Sequence, residues 1–133
     1  MNTLIKNVPI ARVGKIIDGR EITLHMLERC RDTFNLNYYQ PTVGEFSGDP
    51  MVSIATRIQG RVLSMKVDND TLFADIEMFM PPEAVREMDL YPAIAYMEGG
   101  NINTPALMNV ILVTIPSRDD AIAIKDCDIS EAA

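Results

Sequence analysis

Two alternating segments joined by a short polar loop constrain this chain more than any other feature. Apolar and polar side chains alternate in residues 61–67 and again in residues 71–79, on either side of Asp68-Asn69-Asp70. A period of two places alternate side chains on one face of a β-strand, and a short Asp/Asn loop favours a tight turn. The pattern therefore predicts a β-hairpin with one apolar face on each strand, made of Leu63, Met65 and Val67 on the first and Leu72, Ala74, Ile76 and Met78 on the second.

The rest of the chain predicts further strands and two short helices. Apolar residues at steps of three and four predict a helix over residues 21–34, and Pro81-Pro82-Glu83 is typical of a helix start. Strands are expected at residues 8–17, 93–97, 107–115 and 121–124, with a short one inside an irregular loop at 38–49, a turn at Gly99-Gly100 and the second helix at 83–88. Strands and helices do not alternate regularly, which favours an α+β or barrel-like β domain.

Length and composition fit one globular domain spanning residues 1–133. Apolar residues make up 47% of the chain and charged residues 23%, as in ordinary folded domains. Residues 1–7 and 126–133 lack periodicity, so we expect both ends to be arms that order against a neighbour. No apolar stretch reaches the length of a signal segment or a membrane span, and we expect a protein of an aqueous compartment that does not bind a membrane.

The charge balance bears on partners. Twelve Lys and Arg stand against 19 Asp and Glu, giving a formal net charge of −7. An acidic chain supplies no cationic face for a phosphate backbone, so we expect no nucleic acid partner. The balance is compatible with docking on a basic surface, and equally with a solvated acidic exterior.

Residue types that carry chemistry are sparse. Cys30 and Cys127 lie outside any metal-ligand spacing, which favours two reduced thiols, with a single disulfide as the alternative. His25, the sole histidine, lies within the first predicted helix, which favours a structural or surface role over that of a catalytic base.

The loop motifs also favour structure over chemistry. The loop around Asn69 lacks the Gly and distal Glu of a calcium loop, and Gly99-Gly100 lacks a phosphate-binding motif. Nine methionines favour gap filling in the core, with an adaptable binding surface as the alternative. These patterns predict no catalytic residue, no metal site and no cofactor.

A resemblance extends the interpretation, and it covers residues 13–124. Its segments, in chain order, are Asp18-Gly19-Arg20, Asp32-Thr33-Phe34-Asn35, Gly60-Arg61-Val62, Leu72-Phe73-Ala74-Asp75-Ile76, Tyr91, residues 107–115 and Pro116-Ser117. In this order and spacing they resemble the prohead protease family of tailed phages, in the branch where protease and scaffold share one chain. That family is similar in fold to herpesvirus assemblins. The resemblance thus implies an α+β fold, a small, mostly antiparallel β-barrel flanked by two short helices.

The chain departs from the family where the chemistry should be. The family pairs a serine with a histidine, but Val43-Gly44-Glu45-Phe46 carries Phe at the histidine position and Tyr91-Pro92-Ala93 carries Ala at the serine position. Asp18 alone keeps its place, and an aspartate with no imidazole to orient performs no acyl transfer. Ser47 and Ser64 are shifted nucleophiles only if the alignment slips. We therefore expect a catalytically inactive homologue, without the family's helical scaffold extension.

The resemblance and its gaps together predict a phage virion structural protein, most simply a capsid decoration or cement subunit or a minor head component. Its partners would be the major capsid protein or other virion subunits, with a homo-oligomer also compatible. It would be located in the virion, and in the host cytoplasm during assembly. The alternatives are an active prohead protease, a transient capsid assembly factor, and a tail or baseplate component.

Overall fold

A seven-stranded sheet built around a long hairpin forms the frame of the fold. The computed structural model describes residues 2–15, 19, 21–35, 41–45, 57–97, 107–116, 118 and 120–132. Its elements in chain order are β1 (Thr3–Arg12), β2 (Gly14–Lys15), β3 (Glu21–Ile22), α1 (Leu24–Asn35), β4 (Thr42–Glu45), β5 (Arg57–Asp68), β6 (Thr71–Met78), α2 (Pro82–Val85), β7 (Tyr91–Met97), β8 (Leu107–Val113), a 3₁₀ turn (Ile124–Asp126) and β9 (Asp128–Glu131).

The large sheet is curled and mostly antiparallel. Its strand order is β7-β8-β4-β5-β6-β1-β9, and only the β4–β8 pair is parallel. β7 contacts β1, although four strands separate them in this order, so the sheet bends round into a half-barrel. The expectation of an α+β fold with a mostly antiparallel, curled sheet and two short helices is confirmed, as a half-barrel in the described part of the chain.

Two prolines lie in strands that, among the described residues, pair on one side only at these positions. Pro92 is in β7, an edge strand, and Pro9 is in the half of β1 that β9 does not cover. Proline has no backbone N–H, so neither residue can donate to a further strand, which is why proline in sheets is confined to edges and bulges. Both positions are therefore compatible with a sheet that curls without further pairing at these points.

The predicted hairpin is present, with a tighter turn and a bulge. Asp68 pairs with Thr71, which leaves a two-residue turn in which Asn69 adopts a left-handed φ of 56°. The pairing register shifts between Val62 and Ser64, so Val62 is buried while Leu63 is turned outward and is 38% exposed. The prediction that Leu63 shares the inner face was wrong, because one extra residue in a bulge reverses the side-chain alternation.

The chain ends differ from the sequence-based expectation. β1 begins at Thr3 rather than at residue 8, because Thr3 and Ile5 already alternate into the core. The expected strand at residues 121–124 is absent from the structure, where Ile124 begins the 3₁₀ turn and donates its N–H to the carbonyl of Leu90 at 2.8 Å. The last strand, β9, lies further along. The two segments expected as arms instead pair with one another, from Thr3 opposite Glu131 to Lys6 opposite Asp128.

The other predicted strands are found with shifted bounds. β7 and β8 form an antiparallel pair from Tyr91 opposite Val113 to Met97 opposite Leu107. The turn residues predicted between them, Gly99-Gly100, lie outside the described residues. The short strand predicted within residues 38–49 is β4, which lies between β5 and β8.

Both helices are shorter than predicted. α1 starts at Leu24 because the Thr23 hydroxyl accepts a hydrogen bond from the N–H of Met26 at 3.2 Å, a standard N-cap interaction. It packs on β5 and buries Leu27 and Cys30. α2 is a single turn that buries Val85. Just after it, the N–H of Met88 donates to the Val85 carbonyl at 3.0 Å.

The core lies on the concave side of the sheet. Apolar side chains of β1, β5 and β6 supply most of it, with Val110 and Leu112 from β8 and the buried residues of both helices. Met65 and Met78 are buried in it and Met80 and Met88 pack against it, so gap filling by methionine is confirmed at these four positions.

Gly60 provides a sharp test of this packing. A Cβ atom at this position would lie 2.5 Å from the carbonyl oxygen of Glu77 and 2.9 Å from the Sδ atom of Met78. We expect Gly60→Ala to lower the free energy of unfolding by about 1–3 kcal/mol, because the backbone of β6 must move to admit the methyl group. Urea denaturation followed by circular dichroism measures this change.

The matched control is Ser64→Ala on the same strand, where the side chain is exposed. Its effect should stay within about 0.5 kcal/mol. Equal stability of the Gly60→Ala protein and the wild type would show that β5 and β6 do not approach this closely.

Candidate functional site

Several charged side chains meet where the hairpin turn, the end of β1 and the segment after β8 come together. We call this group the Arg12 cluster; its members are Arg12, Asp70, Thr71, Arg118 and Asp120. The Arg12 guanidinium donates from Nε to Asp70 Oδ2 at 3.1 Å and from Nη1 to Asp120 Oδ2 at 2.6 Å. One cation thereby joins residues that lie 50 positions apart in the chain.

The backbone reinforces the same junction. The N–H of Val13, next to Arg12, donates to the Asp70 carbonyl at 2.9 Å, and the Thr71 hydroxyl donates to Asp70 Oδ1 at 3.0 Å. The hydrogen bond from Arg12 is the largest cause that lowers the pKa of Asp70, with the Thr71 hydroxyl second. The same guanidinium lowers the pKa of Asp120, helped by the charge of Arg118.

Arg118 is the more enclosed cation of the cluster. Its side chain is 13% exposed, and its Nε lies 3.6 Å from Asp120 Oδ1. Burial lowers the pKa of its guanidinium, although the charge of Asp120 opposes that effect. Its Nη1 is buried and makes no hydrogen bond within the described part of the chain, so the ion pair with Asp120 leaves this guanidinium partly unsatisfied. Arg12, which contacts both Asp70 and Asp120, fastens the segment around Asp120 to the hairpin.

A second charged group lies on the convex face of the sheet. Arg61 donates from Nε to Glu77 Oε1 at 2.7 Å, and Asn2 donates from Nδ2 to Glu77 Oε2 at 3.2 Å. These two hydrogen bonds, that from Arg61 first, lower the pKa of Glu77. Both oxygens of the Glu77 carboxylate are therefore engaged in holding β5 and the N-terminal segment to β6.

The residues considered for catalysis are dispersed. His25 is exposed on α1, Ser64 is exposed on β5, and Ala93 is half-buried in β7, where it pairs with Ile111. The family positions at Asp18 and Phe46 lie outside the described residues, and so does Ser47, the other shifted nucleophile. The predicted turn at Gly99-Gly100 lies outside them as well. The acidic loop is a turn as predicted, and its Asp70 carboxylate is bound by Arg12 and Thr71.

Cys30 and Cys127 are not joined in a disulfide, as predicted. Cys30 is buried on the inner side of α1, and Cys127 is partly buried just before β9. Burial raises the pKa of Cys127 to about 11, and the Cys127 thiol donates to the Ala123 carbonyl at 3.4 Å. A thiol held protonated in this way is a poor nucleophile and a poor metal ligand at neutral pH.

The described residues contain neither a metal-binding group of side chains nor a membrane-spanning helix. In residues 2–15, 19, 21–35, 41–45, 57–97, 107–116, 118 and 120–132, no three His, Cys, Asp or Glu side chains are grouped to hold a metal ion. Within the same described residues, neither helix is long and apolar enough to cross a membrane.

Comparison of the chain with protein-family models, with curated proteins and with solved structures gives no match.

Sequence reasoning identified the hairpin turn but not the Arg12 cluster. Arg12, Asp70 and Asp120 carry no joint signal in the sequence, since their meeting depends on the pairing of β1 with β6. A weak signal does exist: Asp120 follows Arg118 closely after the predicted strand, and a charge pair after a strand often fixes the following loop.

The Arg12 cluster predicts a specific pH dependence. In the folded chain the pKa values of Asp70 and Asp120 are below the usual aspartate value of 3.8. Their ion pairs therefore contribute stability above that value, and the contribution is lost as the pH falls through the lowered pKa values. We expect Arg12→Gln to destabilise the protein at neutral pH, with a difference from the wild type that shrinks below pH 3.8.

Carbon-detected NMR titration of the two carboxylates, with denaturation across the same pH range, measures both effects. Lys6→Gln is the matched control, since it removes a positive charge from the half of β1 that pairs with β9, away from the Arg12 cluster. Unchanged titration midpoints of Asp70 and Asp120 in the Arg12→Gln protein would contradict the described ion pairs.

Proposed function

We propose that this chain is a non-catalytic structural protein of a phage virion, a capsid decoration or cement subunit or a minor head component. The observation that carries the proposal is Ala93. The resemblance to prohead proteases assigns the nucleophile to this position, and Ala93 presents only a methyl group from β7. A methyl group cannot attack a carbonyl carbon, so the covalent step of that family has no reacting atom at this position.

The general base is missing by the same reasoning. The chain has one histidine, His25, which is exposed on α1, and the family's histidine position carries Phe46. Loss of nucleophile and base together removes both halves of the proton transfer, which supports a protein that retains the fold and works through its surface.

The surface supports a protein partner. The net charge of −7 disfavours nucleic acid and suits docking on a basic protein surface. The curled, mostly antiparallel sheet with two short helices is compatible with the fold that the resemblance implies. The partner we propose is the major capsid protein or another virion subunit, and the location is the virion, with the host cytoplasm during assembly.

Quantitative mass spectrometry of purified mature particles tests the proposal. The copy number of this chain is measured against the major capsid protein, with isotope-labelled peptides of both as internal standards. We expect a fixed ratio of one copy per capsid subunit or a simple fraction of it, because a decoration subunit occupies repeated lattice positions.

Other ratios contradict the decoration role in distinct ways. A few copies per particle would indicate a tail, baseplate or minor head component. Absence from mature particles, with the chain found only in precursors, would overturn the structural proposal in favour of a protease or an assembly factor.

A further inference from the structure

We propose that the free edge of β9 binds an extended, positively charged segment of a partner protein, which adds to the sheet as an eighth strand. β9 is the terminal strand of the sheet order and pairs on one side with β1. In the described part of the chain no strand pairs with its other side. An unpaired strand edge offers a row of backbone donors and acceptors to a partner segment.

The register identifies which backbone groups face outward. The N–H of Ala132 donates to the Asn2 carbonyl at 3.1 Å, so these two residues form a hydrogen-bonded pair. In antiparallel strands bonded and non-bonded pairs alternate, so Ser130 and Asp128 also direct their backbone groups to β1. The N–H and C=O groups of Ile129 and Glu131 therefore point away from β1, towards the free edge.

The neighbouring strands give the same parity. The N–H of Phe79 donates to the Gln59 carbonyl at 2.7 Å, so odd-numbered residues at this end of β6 bond to β5. The even-numbered Met78 and Ile76 are left to bond with β1, where they oppose Thr3 and Ile5. Thr3 and Ile5 thus direct their backbone N–H and C=O groups to β6. The residues opposite them on β9, Glu131 and Ile129, therefore form no backbone hydrogen bonds with β1.

Most side chains of β9 are exposed and half are acidic, and α2 is the helix that packs against this strand. Asp128, Ser130 and Glu131 are exposed, and Asp126 adds a further exposed carboxylate just before the strand. Two cations lie beside these acidic residues: Lys6 on β1 is opposite Asp128, and Lys125 has its Nζ 3.5 Å from Asp89 Oδ1. Carboxylates still outnumber them here. Charge complementarity therefore favours a segment rich in Lys or Arg.

The same charges disfavour the other occupants. Two copies of β9 paired with each other would bring acidic side chains together with no basic residue on either strand, which destabilises a cross-strand contact. Nucleic acid would place phosphates against carboxylates. An extended basic polypeptide from a different protein satisfies both the backbone groups and the charge.

Binding at this edge goes beyond the proposed function and does not depend on it. The chain could fail to appear in mature particles and still bind a basic strand, or the reverse. The two tests therefore fail separately.

The probe is a fluorescently labelled synthetic peptide of alternating lysine and valine, with binding to the full chain measured by fluorescence anisotropy. A second peptide of the same sequence carries N-methyl groups on alternate residues and cannot form the backbone ladder, and a third carries glutamate in place of lysine. We expect both control peptides to bind at least about tenfold more weakly, because one lacks hydrogen bonds and the other is repelled. Equal binding of the N-methylated peptide would overturn strand addition.

Two substitutions at one position separate the backbone from the charge. Glu131→Pro removes an outward N–H that makes no bond to β1, and should weaken binding of the lysine peptide about fivefold to tenfold. Glu131→Gln keeps the N–H and loses only the charge, and should weaken binding of the same peptide about twofold to fivefold. Thermal denaturation checks that both variants fold.

Hydrogen exchange and sedimentation complete the test. The peptide should slow amide exchange at Ile129 and Glu131, while exchange at Ser130, already bonded to β1, should change less. No binding of the lysine peptide would overturn the assigned occupant. A dimer of the chain in sedimentation, abolished by Glu131→Pro, would overturn it in favour of a second copy.

Discussion

β6 lies between β5 and β1, and both neighbours must meet it in register for the core to form. Its inner residues, from Leu72 to Met78, are fully or almost fully buried, and the strand is paired along its whole length on both sides. The approach of β5 is close enough that only glycine fits at position 60. β1 then supplies the pairing surface for β9, so the last strand of the chain depends on contacts made by the hairpin.

Bulges let β1 and β5 stay paired with β6 along its length, and polar side chains hold these strands in place. β1 has a register shift between Ile5 and Val8, where Asn7 takes a left-handed φ of 53° and donates its N–H to Asp75 Oδ1 at 2.9 Å. The ion pair of Arg61 with Glu77 likewise joins β5 to β6, and the Arg12 cluster joins the end of β1 to the hairpin turn. Much of the charge on the described surface thus holds strands together, whereas on β9 Glu131 lies opposite Thr3 and Asp128 lies opposite Lys6.

The hairpin, α1 and the β7–β8 pair could be predicted because each has a local periodic pattern of apolar residues. The bulge at Leu63 could not, because its cause is the fit of β5 against β6 rather than the composition of either strand. The pairing of the two chain ends was missed for a related reason: the segment around Ile129 is short and acidic, and it becomes a strand only because β1 lies beside it. The interpretation of Ala93 as the family's serine position rests on the resemblance alone, and Phe46 lies outside the described residues.

We propose that this chain acts through its surfaces as a repeated subunit of a phage particle. Electron cryo-microscopy of purified particles, at a resolution that traces β-strands, tests this claim most directly. We expect density for the curled seven-stranded sheet at symmetry-equivalent positions across the capsid shell. A shell without such density, in particles whose other proteins are all assigned, would contradict it.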